Sequence, residues 1–156
     1  MIMKDKIFGE LIYDFIWEGE TEINLFKEKY KIKLGIEDED EVGISSIQEE
    51  TFTYFKNNEK VICGKIEEAI YNYYCKICKD EPEKIDANVI NDLQEVKSPI
   101  EMKRLVKPIK MCIPELEEDR EIEILFDCKW DFESGLGVRI VNEEIVKIGT
   151  QNDVLI

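Results

Sequence analysis

Alternating apolar and polar residues mark both ends of the chain. From Ile122 to Trp130 every second residue is apolar, and the residues between them are mostly charged. Alternation with period two is typical of a strand that buries one face and exposes the other. Residues 133–135 and 142–143 include Gly and Asn, which tolerate positive φ and favour tight turns. The segment 120–153 is therefore predicted to form three strands joined by two turns.

The N-terminal residues show the same kind of pattern. Residues 6–17 are predicted to form a first strand, with Phe15 and Trp17 on its main apolar face. Further strands are predicted at 23–25 and 30–36, separated by a hairpin turn.

The two strand regions also share a short sequence. Residues 11–17 align without gaps on residues 124–130, and an aspartate and a tryptophan coincide. This alignment supports the hypothesis of a duplicated meander, with Trp17 and Trp130 at equivalent places in the core. Chance similarity between two amphipathic strands is the alternative.

In the middle of the chain, apolar residues recur with the spacing of amphipathic helices. Ser45 or Ser46 is a suitable N-cap, because Gln48 or Glu49 follows three residues later. A second helix is predicted over 59–79, since apolar residues recur there on one side. They are Ile62, Ile66, Ala69, Ile70, Tyr73 and Ile77.

The rest of the middle region is less regular. Residues 80–97 do not distinguish a short helix from a loop. Ser98 followed by Pro99 indicates the start of a short helix. Residues 107–113 are predicted to form a strand, and the prolines in and after it favour an edge position.

The order of strands, helices and strands predicts an α+β fold. We expect a single domain over 1–156, with an antiparallel sheet formed by the N- and C-terminal strand meanders and a central helical pair packed on one face. Its parts are the N-terminal strands at 6–36, the helical middle at 45–106 and the C-terminal strands at 107–150.

Charge directs attention to the surface. The formal net charge of −15 opposes direct contact with nucleic acid or an anionic membrane and attracts a basic protein. Solubility alone is the alternative explanation. Two acidic runs, at 37–41 and 115–119, are expected to be exposed. The candidate partner-binding residues are Glu37, Asp38, Glu39, Asp40, Glu41, Glu115, Glu117, Glu118 and Asp119.

Few residues are candidates for chemistry. The chain has no histidine, which removes imidazole bases, Ser-His and Cys-His pairs and most catalytic zinc sites. Cys75 and Cys78 have the spacing of a redox pair, but a position late in a helix disfavours a thiolate. The run at 37–41 lacks the ligand spacing of a calcium loop. We therefore expect structural cysteines, no enzymatic activity, no cofactor and no metal site.

The closing motif resembles that of a known family. The residues that carry it are Leu125, Phe126, Asp127, Cys128, Trp130, Asp131, Gly135, Leu136, Gly137, Val138, Gly149, Gln151 and Asp153. Together with the N-terminal hairpin, they resemble a family of small bacterial proteins of unknown function, over most of the chain except 80–118. Asn152 separates a Gln-Asp pair that is adjacent in the family motif. Family members encoded beside bacterial toxin and secretion genes imply an immunity-type binding role, and the resemblance supplies no catalytic residues.

The favoured function is a non-catalytic acidic binding protein that inhibits a cognate bacterial toxin or nuclease. An odd number of scattered cysteines and the lack of a signal-peptide pattern indicate a cytoplasmic location with reduced thiols. One alternative is a phage-type anti-defence inhibitor, such as an anti-CRISPR protein or another mimic of nucleic acid. The other is a small enzyme that uses carboxylates alone, for example through Asp14 and Asp127.

Overall fold

Eight strands form one continuous sheet in chain order in the computed structural model, which describes residues 1–85 and 96–155. The strands are β1 Ile2–Asp5, β2 Gly9–Asp14, β3 Ile16–Leu25, β4 Glu28–Glu37, β5 Val106–Ile113, β6 Glu121–Cys128, β7 Leu136–Val141 and β8 Glu144–Gly149. The α-helices are α1 Ser46–Asn57, α2 Glu59–Asp80 and α3 Gln151–Leu155. Short 3₁₀ helices occupy Pro82–Lys84 and Pro99–Arg104.

One parallel pairing joins two antiparallel halves of the sheet. The strands β1 to β4 and β5 to β8 each form an antiparallel meander, whereas β4 and β5 run side by side in the same direction. Leu34 lies opposite Met111, and Ile36 lies opposite Ile113. A parallel pair requires a long connection that returns the chain to the opposite end of the sheet. Helices α1 and α2 lie in that connection.

The predicted fold class is wrong. The eight-stranded sheet is the dominant element, its central pairing is parallel, and the helices lie mostly at its periphery. β5 is a central strand and not an edge strand, because it pairs with both β4 and β6. Pro108 is tolerated there at a register shift between Pro108 and Lys110. Alternation along one strand indicates that a strand forms, but it does not specify the direction of the neighbouring strand.

A sharp turn at Phe15 divides what the sequence predicts as a single strand. β2 ends at Asp14, β3 begins at Ile16, and these two residues face each other across the hairpin. Phe15 has a positive φ of 66°, and its side chain is 87% exposed. The alternation over 6–17 places Phe15 in the core only if the strand continues, and no Gly or Asn marks the turn. The first strand, β1, was also not predicted.

The helix starts and the inner face of α2 agree with the sequence pattern. Ser45 is the N-cap of α1: its Oγ accepts from the Gln48 backbone N–H at 3.2 Å, and Gln48 Oε1 accepts from the Ser45 N–H at 3.0 Å. Four of the predicted stripe residues of α2 are buried, namely Ile62, Ile66, Ile70 and Ile77.

The stretch after α2 is only partly described. Residues 86–95, which belong to the segment without a predicted structure, lie outside the described residues. The helix predicted after Ser98 is the 3₁₀ helix Pro99–Arg104. In the part of the chain that the structure describes, no helix is long and apolar enough to cross a membrane.

Both tryptophans lie in the core, as predicted, but their positions are not equivalent. Trp17 and Trp130 are 5% and 4% exposed. Trp17 belongs to β3, whereas Trp130 lies in the connection between β6 and β7, where it packs against Tyr74. The predicted equivalence is therefore wrong, because the shared sequence bends at Phe15 in the first copy and continues as a strand through residues 124–128 in the second.

A buried carboxyl group lies on the sheet between core positions. Glu123 of β6 alternates with Ile122 and Ile124, faces Arg139 on β7, and is 6% exposed. Burial, followed by the nearby carboxylates of Glu121 and Glu37, raises the pKa of Glu123 from 4.5 to about 7, although Arg139 acts in the opposite direction. The folded state therefore binds a proton at Glu123 more tightly than the unfolded chain does.

Glu123→Gln is expected to reduce the pH dependence of stability. The contribution of Glu123 is fully present below about pH 4.5 and is lost as the pH rises through about 7. One proton gives a slope of at most ~1.4 kcal/mol per pH unit. Urea unfolding at about pH 5 and about pH 7.5 measures this slope. The wild type should lose more unfolding free energy over the interval than the variant, and equal losses would contradict the assignment.

Candidate functional site

The two acidic runs meet at one edge of the sheet. β4 ends at Glu37 and β5 ends at Ile113, and because these strands are parallel neighbours, the segments after them leave at the same edge. The Glu115 backbone N–H donates to Glu37 Oε2 at 3.0 Å, and the Glu39 N–H donates to Glu115 Oε2 at 3.4 Å. The structure thus brings together residues that lie 78 positions apart in the sequence.

A cleft of about 710 Å³ opens between these segments and is called the acidic cleft below. It is lined by Phe15, Ile16, Glu37, Asp38, Glu39, Ser45, Ser46, Ile47, Glu115, Leu116 and Glu117. None of these lining residues is basic. Of the nine predicted partner-binding residues, five line the cleft, while Asp40, Glu41, Glu118 and Asp119 are exposed but do not line it.

Asp38 departs from the prediction that both acidic runs are fully exposed. It is 1% exposed. Its Oδ2 accepts from Trp17 Nε1 at 2.9 Å and from the Gly43 N–H at 2.9 Å, and its Oδ1 accepts from the Val42 N–H at 2.9 Å. A buried carboxylate needs such donors to compensate for lost hydration. Asp38 therefore organises the loop that carries its exposed neighbours, and it is not itself a contact residue.

Gln48 links both runs to the start of α1. Its side chain is buried, and Nε2 donates to the Glu37 carbonyl at 2.8 Å. The same nitrogen lies 3.3 Å from the Ile113 carbonyl and 3.4 Å from the Pro114 carbonyl. The side-chain amide of Gln48 therefore contacts backbone carbonyl groups at the ends of both β4 and β5. Its Oε1 completes the cap of α1. This arrangement fixes the walls of the acidic cleft relative to each other.

The electrostatic effect of both runs is visible at Tyr13. Its phenol oxygen donates to the Asp38 carbonyl at 2.9 Å. Burial raises the pKa of Tyr13, and the carboxylates of Glu41, Asp38, Asp40 and Glu115 raise it further. Members of both runs thus act on the same group, which indicates a shared negative potential at this edge.

Phe15 is a cleft residue that the sequence analysis did not identify. It lies at the tip of the β2–β3 hairpin, lines the acidic cleft and is 87% exposed. The only feature of the sequence that indicates an exposed position for Phe15 is its place directly after Asp14, near the end of the predicted strand 6–17. That signal is too weak to distinguish a core position from an exposed tip.

The three cysteines with a shifted pKa are not activated as nucleophiles. Burial raises the pKa of Cys63 and Cys128 to about 12 and that of Cys112 to about 11, opposite to the shift that produces a thiolate. Cys128 is buried, as predicted for a small apolar residue, whereas Cys75 is exposed and Cys78 is half-buried. Within residues 1–85 and 96–155, no group of three or more His, Cys, Asp or Glu side chains is placed to hold a metal ion.

Comparison with known proteins identifies a family for the chain. The domain of unknown function DUF6985 matches residues 7–155. The chain belongs to the DUF6985 family. A search of curated proteins and a search of solved structures each returned no match. The expected membership of a family of unknown function is confirmed, and the match itself names no reaction or partner.

The closing motif of this DUF6985 chain holds the C-terminal helix against the sheet. Gln151 Nε2 donates to the Phe126 carbonyl at 2.9 Å, and Asp153 Oδ2 accepts from the Thr150 N–H at 3.0 Å. Val154 is fully buried against Gly137, where a Cβ atom would overlap its side chain. Gln151 and Asp153 make hydrogen bonds to different residues. They do not act as one unit here, and Asn152 between them therefore disrupts no shared contact. These motif residues are explained by packing.

Asp38→Asn is expected to destabilise the fold by roughly 1.5–3 kcal/mol, because it weakens charge-assisted hydrogen bonds in a buried place. The side-chain NH₂ group of asparagine would also face the N–H groups of Trp17, Val42 and Gly43, which are themselves donors. Chemical denaturation measures the change, and loss of the Trp17 indole hydrogen bond gives a second signal in tryptophan fluorescence.

Asp40→Asn is the matched control for this substitution. Asp40 lies in the same loop, carries the same charge and is exposed, so the change in unfolding free energy should stay within about 0.5 kcal/mol. Equal effects of the two substitutions would show that Asp38 does not organise the loop.

Proposed function

We propose that this DUF6985 chain is a non-catalytic acidic binding protein that inhibits a basic protein partner, as immunity proteins inhibit toxins or nucleases. The observation that carries the proposal is the meeting of both acidic runs at one cleft. Glu37, Glu39, Glu115 and Glu117 face a common space there, and no lining residue supplies a compensating positive charge.

The arrangement of charge is uneven across the molecule. On the strands β3 and β4, carboxylates are paired: Glu20 with Lys31 at 2.8 Å, and Glu22 with Lys29 at 3.4 Å. At the acidic cleft, by contrast, the lining includes several carboxylates and no basic side chain. A charge that served only solubility would not need this concentration. An unbalanced patch next to a concave surface favours rapid association with a positively charged protein.

The class of partner follows from the chemistry of the cleft. Nucleases and other nucleic-acid-binding proteins carry Lys and Arg side chains that bind phosphate groups. Carboxylates held on a rigid edge can accept hydrogen bonds from the same side chains and occupy the groove. Blocking of this kind requires no reaction by the inhibitor. The resemblance to proteins encoded near toxin genes favours the immunity-type role over an anti-defence role.

The test compares two variants that remove the same amount of charge. The cleft variant combines Glu39→Gln and Glu117→Gln, which line the cleft, with Asp40→Asn and Glu118→Gln, their exposed neighbours in the two acidic runs. The control variant combines Glu10→Gln, Glu68→Gln, Asp127→Asn and Glu133→Gln, which are exposed residues outside both the cleft and the two acidic runs. Each tagged chain is used to capture proteins from the organism that encodes it, and bound proteins are identified by mass spectrometry.

We expect the wild type and the control variant to retain the same basic protein, and the cleft variant to lose it. With the purified partner, the cleft variant should associate at least ~10-fold more slowly at low ionic strength, and this difference should shrink as salt is added. Both variants should keep the wild-type unfolding free energy within about 1 kcal/mol. Equal association of the cleft and control variants would contradict the proposal.

A further inference from the structure

Phe15 combines an exposed aromatic ring with a left-handed backbone at the tip of the β2–β3 hairpin. Its ring is 87% exposed, and its φ of 66° lies in the left-handed region. A residue with a Cβ atom is disfavoured there, whereas Gly carries no such penalty. An aromatic ring that stays exposed to water also contributes no burial free energy to the stability of the fold. The tight turn between Asp14 and Ile16 accounts for this backbone conformation, and positive φ also occurs at the other hairpin turns. The exposed aromatic side chain, and not the backbone, is therefore the feature that points to a function.

The base of the hairpin is well placed to hold Phe15. The rings of Tyr13 and Trp17, which face each other across β2 and β3, lie edge to face with their centroids 5.0 Å apart. Trp17 is buried and donates to Asp38 Oδ2 at 2.9 Å, and Tyr13 donates to the Asp38 carbonyl at 2.9 Å. These contacts hold the backbone at the base of the exposed tip, which lowers the entropic cost of ordering the tip on binding.

The surroundings of Phe15 specify the chemistry that would receive it. Phe15 lines the acidic cleft together with the exposed residues Glu37, Glu39 and Glu115. Energetically dominant interface residues are often aromatic and lie inside a rim of polar residues that excludes water. A partner that matches this surface has an apolar pocket with Lys or Arg side chains at its rim.

We propose that Phe15 is the apolar anchor of the interface and enters a pocket on the basic protein partner, an inference that rests on the proposed function. Carboxylates of the acidic cleft then pair with the basic rim of that pocket. The two parts of the surface have different kinetic roles: the acids speed association, whereas the ring slows dissociation.

The first experiment uses Phe15→Gly, with Phe132→Ala as the matched control. Phe132 is 71% exposed, lies in the connection between β6 and β7, and is not one of the residues that line the cleft. Phe15→Gly removes the ring and suits the positive φ, so its denaturation midpoint should equal or exceed that of the wild type. Binding to the captured partner should weaken at least ~30-fold through a faster dissociation rate. Phe132→Ala should change affinity less than about 2-fold.

The second experiment replaces each phenylalanine with the photoreactive analogue p-benzoylphenylalanine. Irradiation of lysate containing Phe15→p-benzoylphenylalanine should crosslink the chain to a basic protein, at residues lining an apolar pocket that is flanked by Lys or Arg. The same analogue at position 132 should not give this product.

The outcomes separate the anchor from the acidic surface. If the cleft variant loses the partner but Phe15→Gly binds within about 3-fold of the wild type, the proposed function stands and the anchor is wrong. If position 15 crosslinks to a second copy of this chain, or if Phe15→Gly is markedly less stable than the wild type, the anchor is wrong as well. If neither the cleft variant nor Phe15→Gly differs from the wild type in capture, both proposals fail.

Discussion

The parallel pairing of β4 and β5 is the constraint on which the rest of the structure depends. Every other neighbouring pair in the sheet is antiparallel, so this one pairing joins the two meanders and requires the helical connection. It also places the two acidic runs next to each other. The chain leaves both strands at the same edge, and the carboxylates of 37–41 and 115–119 meet there although 78 positions separate Glu37 from Glu115.

Buried polar groups hold this edge in one arrangement. Asp38 and Gln48 are each 1% exposed, and both are satisfied by hydrogen bonds to the segments that they connect. Leaving either group unpaired would cost more than a typical surface contact gains. Glu37 and Glu115 also contribute, because each accepts a hydrogen bond from a backbone N–H of the other segment. Exposed carboxylates such as Glu117 are expected to add little to stability. The division explains how one short acidic run contains both a structural residue and candidate contact residues.

Much of the local structure was predictable from the sequence, but the arrangement of strands was not. Period-two alternation located most strands, and the capping pair Ser45 and Gln48 marked α1, because these signals depend on neighbouring residues. The direction of β5 relative to β4 depends on residues far apart, and nothing in either strand encodes it. The acidic residues were identified as candidates from composition. Their meeting, the burial of Asp38 and the exposure of Phe15 all follow from tertiary structure.

The central claim is that the edge formed by the parallel pair is the surface that binds a partner. Hydrogen–deuterium exchange of the full chain, with and without the captured basic protein, tests this claim most directly. The account predicts that protection appears at residues 14–16, 38–43 and 114–117 and is weak on the outer side of α2. Protection confined to α2 or to the β7–β8 hairpin would contradict it.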